Sequence, residues 1–184
     1  MLNTEMRNSR TYNIDKMSTA DMLKIINDEN NNVISAVDKA LPEIEKTCDF
    51  VAETIMNGGR VFYMGSGTSG RLAVCDAAEC PPTFGVPYDL FNGIIAGGEK
   101  CMFKAAENAE DDPDMSVDEL KKRDFSKNDI LIGISASGSA AYVIAAVNYA
   151  KASVQQQFRL QIIPILHWEM PLILIYVLIR GQRL

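Results

Sequence analysis

Histidine and tryptophan are almost missing from this 184-residue chain, which holds one of each, His167 and Trp168. One imidazole cannot build a multi-histidine metal centre. The four cysteines, Cys48, Cys75, Cys80 and Cys101, form no C-x-x-C pair. A zinc site needs closer and more numerous ligands, so no metal is expected and the thiols are expected to be reduced and mostly buried. Clustered positive charge is missing as well. The net charge is −6 and no basic stripe is visible, which argues against a nucleic-acid partner. The start, MLNTEMRNSR, has no apolar core of a secretory signal, so the default expectation is a cytoplasmic protein. The longest apolar run, residues 170–179, is about half of the ~20 residues a membrane helix needs, so no membrane partner is expected. What is present, 47% hydrophobic residues, suffices for one domain with an arm.

Residues 1–17 read as irregular. Ser18 with Asp21 three residues on resembles a capping box and predicts a helix start. The Asn30-Asn31-Asn32 run predicts a break. Val33, Val37 and Leu41 predict a second helix, which Pro42 kinks or restarts. Ile44, Cys48, Val51 and Ile55 keep helical spacing up to Asn57-Gly58-Gly59. The pattern then changes. Short apolar runs at 61–64, 90–95 and 130–134 predict buried strands. Helical stretches are expected at 71–78, 99–109 and 140–151. This alternation predicts an α/β fold: a parallel sheet sandwiched by helices, with an N-terminal helical arm. The expected divisions are an arm at 1–44, an α/β domain at 45–151 and a distinct segment at 152–184.

Two loops carry chemistry. Gly65-Ser66-Gly67-Thr68-Ser69-Gly70 lies between a predicted strand and helix, and Ser135-Ala136-Ser137-Gly138-Ser139 repeats that placement. Glycines let backbone N–H groups converge, and a helix amino terminus adds unpaired donors and a positive dipole end. Ser66, Thr68, Ser69, Ser135 and Ser137 add hydroxyls, with Gly67 and Gly138 at the turns. In an open parallel sheet, ligands bind beyond the carboxyl ends of the strands. The two loops therefore suit one compact phosphate. Gly65-x-Gly67-x-x-Gly70, with Asp89 downstream, is also formally a dinucleotide fingerprint. Plain tight turns are the third reading.

The run Gly59-Arg60-Val61-Phe62-Tyr63-Met64-Gly65-Ser66-Gly67-Thr68-Ser69-Gly70-Arg71-Leu72 resembles the phosphate loop of the sugar isomerase (SIS) fold. More narrowly it resembles the N-acetylmuramic acid 6-phosphate etherases. Asp76-Ala77-Ala78-Glu79-Cys80-Pro81-Pro82-Thr83-Phe84-Gly85 carries that likeness most distinctively. Ile95-Ala96-Gly97-Gly98-Glu99, Glu107-Asn108-Ala109-Glu110-Asp111, Thr4-Glu5-x-Arg7-Asn8 and 25–29 continue it, so that residues 3–151 are covered. Ser139-Ala140-Ala141 departs from the family's Arg-Thr-Pro and loses a cation beside the second loop.

The resemblance implies cleavage of a lactyl ether to N-acetylglucosamine 6-phosphate and D-lactate, by elimination and water addition. It implies no metal or redox cofactor, a small sugar-phosphate ligand, and a homodimer with sites near the interface. By motif position Glu79 carries over as proton donor, just after a helix and before a loop stiffened by Pro81-Pro82. Glu110 carries over as the second catalytic carboxylate, the base. On the residues alone, Glu79 also reads as a solvated carboxylate at a helix end, and 110–114 as a solvated acidic turn. Arg71 reads equally as a ligand-binding cation or as half of a structural ion pair. A non-catalytic sugar-phosphate-binding regulator of the SIS type stands as the alternative function.

Residues 152–184 break the composition. Residues 1–151 hold 15 Lys or Arg against 23 Asp or Glu, whereas 152–184 hold three Arg and one Glu. Neither clean alternation nor a helical stripe is visible, and Pro164 and Pro171 interrupt the segment. It is expected to be a frameshifted or otherwise aberrant hydrophobic tail on a sheet left incomplete at the C-terminus. The chain is then expected to release no lactate.

Overall fold

The structure, a computed structural model, describes residues 6–153 and two strands at 158–164 and 174–180. Two 3-10 turns, Ser9–Thr11 and Ile14–Lys16, occupy the stretch expected to be irregular. Helix α1 (Thr19–Met56) follows. The Ser18 hydroxyl accepts from the Asp21 N–H at 3.2 Å, as the Ser-x-x-Asp spacing predicts. The asparagine run does not break α1. Asn31 Nδ2 donates to the Asp28 carbonyl at 3.1 Å and Asn32 Nδ2 to Glu29 at 2.8 Å, so these amides bond along the helix. Glu29, 4% exposed, also accepts from Arg10 Nη1 at 2.7 Å, which ties the first turn to the helix. Pro42 sits inside α1 and removes one backbone donor without ending it. The helix passes through residues 44 and 45 without interruption.

The α/β part runs β1 (Val61–Gly65), α2 (Gly67–Phe84), β2 (Phe91–Ile95), α3 (Pro113–Lys122), β3 (Ile130–Ser135) and α4 (Ala141–Ser153). Strand β1 is central and parallel to both neighbours, with Gly65 opposite Ile95 on one side and Ile134 on the other. The pleat sorts the side chains onto two faces. Phe62, Met64, Ile94 and Leu131 pack against α3 and α4 through Leu120, Tyr142, Val143, Ala146 and Val147. Phe62 meets Phe125 edge-on at 5.1 Å. Val61, Ile130 and Ile132 pack against Ala40, Ile44, Val51 and Ile55 of α1. Tyr63 lies on that same side, where burial first and Asp76 of α2 second push its hydroxyl above the usual tyrosine range. Helices thus cover both faces, as the βαβ pattern predicts.

One ion pair clamps the end of the sheet away from the Gly65 loop. Asp129, 4% exposed, accepts from Arg60 N, Nε and Nη2 at 2.9, 3.2 and 3.0 Å. It also accepts from the Ser126 N–H and hydroxyl at 2.8 and 3.1 Å. Arg60 in turn donates to the Arg123 and Asp124 carbonyls. Burial pushes the Asp129 carboxyl up, but the hydrogen bonds from Arg60 and Ser126 outweigh it and hold the group below the usual aspartate range.

The structure departs from the expectations in several places. Helix α2 is longer than 71–78 and runs through both prolines to Phe84. Only the last turn loses donors to them, and Gly85 closes the helix at φ 67 with its N–H on the Pro81 carbonyl at 2.9 Å. Residues 99–109 hold no α-helix: a 3-10 turn, Glu99–Met102, is followed by irregular chain up to the turn that begins at Ala109, and Ala105 and Ala106 stay exposed. Helix α3 was not expected. Two of the four cysteines, Cys48 and Cys75, are exposed, while Cys80 and Cys101 are buried.

The sheet is mixed, with order β2-β1-β3-β5-β4. Strands β4 (Phe158–Pro164) and β5 (Leu174–Arg180) lie in the segment to which the sequence assigned no element. Strand β5 runs antiparallel to β3, with Ser135 opposite Leu174, and β4 runs antiparallel to β5. Their Ile, Leu and Val content has the β propensity that unclear alternation obscured. Thr4, Glu5, residues 155–157, His167, Trp168 and Pro171 lie outside the described residues. No helix among the described residues is long and apolar enough to cross a membrane.

Candidate active site

The parallel pairing of β1 and β3 brings their carboxyl ends together, so Ser66–Gly70 and Ser135–Gly138 leave the sheet side by side. The first turn is tight because two glycines allow it. A Cβ on Gly70 would lie 2.5 Å from the Gly65 carbonyl oxygen and 2.7 Å from Ile95 Cγ1. Without those Cβ atoms, α2 begins directly against the end of β1. Ser66 is the N-cap residue, yet its side chain does not cap the helix. The N–H groups of Gly67, Thr68 and Ser69 have no hydrogen-bond partner among the described residues, which leaves three donors at the positive end of α2. In the second loop, Ser135 Oγ accepts from the Gly138 N–H at 3.0 Å, and Ser139 donates to Ser137 Oγ at 2.8 Å. Ser135 therefore shapes its loop, whereas Ser137 sits toward its surface.

A cavity of about 410 Å³ opens from the first loop. Ser66, Gly67 and Arg71 form one wall. Ala96, Cys101 and residues 105–110 form the floor and the other wall. The far wall depends on backbone geometry. Gly97 and Gly98 turn with φ of 82 and 75, and Asn108 adopts φ 63 just before the turn Ala109–Asp111. That sharp reversal presents Glu110 to the cavity, where it accepts from the Ser66 hydroxyl at 3.4 Å. Behind it Asp112 caps α3, its carboxylate accepting from the Asp114 and Met115 N–H groups at 3.1 and 3.0 Å. Arg71 lies one turn along α2, with Nε donating to the Met102 carbonyl at 3.1 Å. It makes no structural ion pair with any described residue.

Ser66, Gly67, Arg71 and Glu110 thus share one cavity, with Thr68 and Ser69 at its helix mouth. Glu79 does not line it. It is not in a loop after a helix but in the body of α2, exposed, twelve residues beyond Gly67. That spacing is ~18 Å of helix rise. Its neighbour Cys80 is buried, and burial, together with Asp76, pushes the thiol up, so it stays protonated. Sequence reasoning missed Glu107, Asn108 and Cys101 as cavity residues. It also missed the helix signal beside them: Asp112 as cap, Pro113 at the first position, and Lys121 and Lys122 in the last turn. That signal explains an acidic run that had read as a solvated turn.

The resemblance holds up in comparison with known proteins. An N-acetylmuramic acid 6-phosphate etherase of Clostridium botulinum (strain Loch Maree / Type A3) is 56% identical over 147 residues, 80% of this chain and 49% of the relative. The protein of that name from Clostridium beijerinckii is 53% identical over 149 residues, 81% of this chain and 49% of its own length. The one from Photobacterium profundum is 48% identical over 149 residues, 81% and 50%. The chain spans about half the length of the curated relatives it matches. Residues 43–151, which hold β1 to β3, most of α4 and every residue of the cavity, match the family described as the glucokinase regulatory protein N-terminal SIS domain, and the chain belongs to that SIS family.

Proposed function

We propose that this chain carries the sugar-phosphate-binding half of an N-acetylmuramic acid 6-phosphate etherase. The supporting observation is one cavity that joins three unpaired N–H donors of α2 to the Glu110 carboxylate. The sugar's phosphate sits at Gly67, Thr68 and Ser69, with Ser137 and Gly138 closing on it from the second loop. With the sugar open as an aldehyde, Glu110 takes the C2 proton. The C3–oxygen bond breaks, and the departing lactate oxygen takes a proton from Glu79. Water then adds across the double bond at C3, and C2 regains a proton. Two carboxyl groups with divided roles suit this sequence.

Glu79 lies outside the cavity of its own copy, so the proposal includes a homodimer in which a second copy supplies it. Leu23, Ile26, Ile34 and Leu41, each 51–63% exposed along α1, offer apolar surface for such an assembly. As a single copy the chain releases no lactate. A cytoplasmic location and a role in amino-sugar catabolism follow from this reading.

The family description also favours a second reading, a non-catalytic sugar-phosphate-binding regulator. A chimera decides between them: residues 1–151 of this chain replacing the matching segment of the 56% identical Clostridium botulinum relative. Lactate release supports the etherase. Sugar-phosphate binding without lactate release supports the regulator. In an active chimera, Glu79→Gln is expected to stop lactate release but to permit exchange of the C2 proton with solvent, and Glu110→Gln to stop both. Undiminished lactate release in the Glu79→Gln form ends that assignment. Normal C2 exchange in the Glu110→Gln form removes only the role of base.

A further inference from the structure

Arg71 stands out among the arginines whose side chains are described. Arg10 pairs with Asp28 and Glu29, Arg60 with Asp129, and Arg123 with Glu119. Arg7 lies over the Tyr12 ring. Arg71 has neither a carboxylate within ion-pair distance nor an aromatic ring beneath it among the described residues, although it is half-buried and lines the cavity. A guanidinium stays charged at every relevant pH, so it cannot shed its charge to suit a poor environment. A cation without a counter-ion at the wall of a cavity invites an anionic ligand.

The geometry also narrows which anion. The Nε–H of Arg71 is held by the Met102 carbonyl at 3.1 Å, which fixes the direction of the side chain. The two terminal nitrogens remain, and together they form a flat two-pronged edge. That edge matches a planar carboxylate by two parallel hydrogen bonds. The phosphate of the ligand already has its own site, at the three unpaired N–H groups that begin α2. Arg71 lies four residues further along, about 6 Å of helix rise from Gly67. One ligand can therefore place a phosphate on the helix end and a second anion on Arg71.

Resting on the sugar-phosphate reading above, we propose that Arg71 is the carboxylate-reading residue of this cavity and sets its preference for a sugar phosphate that also bears a carboxylate. The lactyl group provides that carboxylate before cleavage. Once the ether is broken, the sugar phosphate has lost its second anion and holds one contact fewer. The same residue thus favours substrate entry and product departure.

Calorimetric titration of the 184-residue chain with N-acetylmuramic acid 6-phosphate and with N-acetylglucosamine 6-phosphate tests this. The chain is expected to bind the carboxylated sugar at least roughly tenfold more tightly, the weight of one charged hydrogen-bonded contact. Arg71→Gln is expected to erase that difference by weakening N-acetylmuramic acid 6-phosphate far more than N-acetylglucosamine 6-phosphate, and an unchanged circular dichroism spectrum shows that the variant is folded. Arg71→Lys, with charge but no fork, is expected to keep only part of the preference. Equal affinities in the unaltered chain overturn the proposal without recourse to any variant. An equal loss for both ligands in Arg71→Gln assigns Arg71 to the phosphate, and overturns the proposal while the sugar-phosphate reading stands. If the unaltered chain binds neither sugar phosphate, both fall.

Discussion

The Arg60–Asp129 pair fixes the relative position of β1 and β3 at the end opposite the loops, and Asp129→Asn tests how much the fold depends on it. The carboxylate accepts five hydrogen bonds. Oδ1 takes Arg60 N and Nε, and Oδ2 takes Arg60 Nη2 and both Ser126 donors. An asparagine oxygen can replace Oδ1. Its NH₂ then faces three donors and can accept from none. Breaking a buried pair by removing one partner costs about 3–5 kcal/mol. Arg60 is 27% exposed and keeps two carbonyl acceptors, which softens the loss. A cost of about 3 kcal/mol is expected, or roughly 6–12 °C of Tm for a chain of this size. The Asp129 carboxyl is held below its ordinary value of 3.8 in the folded state, so its contribution is complete above that pH and fades as pH falls below 3.8 through the lowered folded value. Thermal melts of both forms from pH 7 to pH 2, followed by circular dichroism, are the assay. The gap in Tm is expected to stay constant down to about pH 5 and then to close. A gap below 1 kcal/mol at pH 7, or one that stays open in acid, would refute this account of the clamp.

Two further substitutions examine the loops. Gly70→Ala is expected to destabilise by about 1–3 kcal/mol, because the new methyl group overlaps the Gly65 carbonyl and Ile95. It should also weaken sugar-phosphate binding by lifting the start of α2, and unchanged melting and affinity would contradict the close approach. Ser69→Ala and Ser137→Ala are each expected to reduce sugar-phosphate affinity by about 1.5–3 kcal/mol in titration, the weight of a hydrogen bond to a charged group. Equal affinity in both variants would count against a phosphate between the two loops.

Much of the α/β layout is legible from residue order alone. Short apolar runs, each followed by a small-residue loop, mark β1 and β3 and the sheet edge at which the candidate site lies. The helix boundaries are less legible for a physical reason. Asn30–Asn32 and Pro81–Pro82 are breakers by propensity, but propensity is weak next to tertiary packing. Ala40, Ile44, Val51 and Ile55 hold α1 against the sheet, and Ala73, Ala77 and Cys80 bury one side of α2, so both helices run through the unfavourable residues. The far wall of the cavity was hidden because residues 103–110 have no periodicity. Their path is set by Gly97, Gly98 and the left-handed Asn108, and only the positive φ values reveal that path.

The position of Glu79 follows from that same strength of packing. A helix ending at Ala78, with a proline-stiffened loop after it, would leave Glu79 free to bend back toward the Gly65 loop. Instead α2 continues to Phe84, and a helix fixes distances along its axis. Glu79 is thereby held ~18 Å along the helix from the Gly67 end of α2, on exposed surface. No side-chain rotamer spans that gap, and closing it by unwinding would break the helical turns that bury Ala77 and Cys80. If Glu79 delivers a proton to a leaving group in this type of cavity, the cavity must belong to another copy. A mixture makes this measurable. Chimeras bearing Glu79→Gln and Glu110→Gln, each inactive alone, are expected to regain lactate release when co-refolded, because a mixed pair contains one site with both carboxylates intact. With random pairing half of the dimers are mixed and each holds one intact site of two, so roughly a quarter of the unaltered rate is expected. Mixtures as inactive as their components would place Glu79 and Glu110 in the same copy, and would require α2 to unwind.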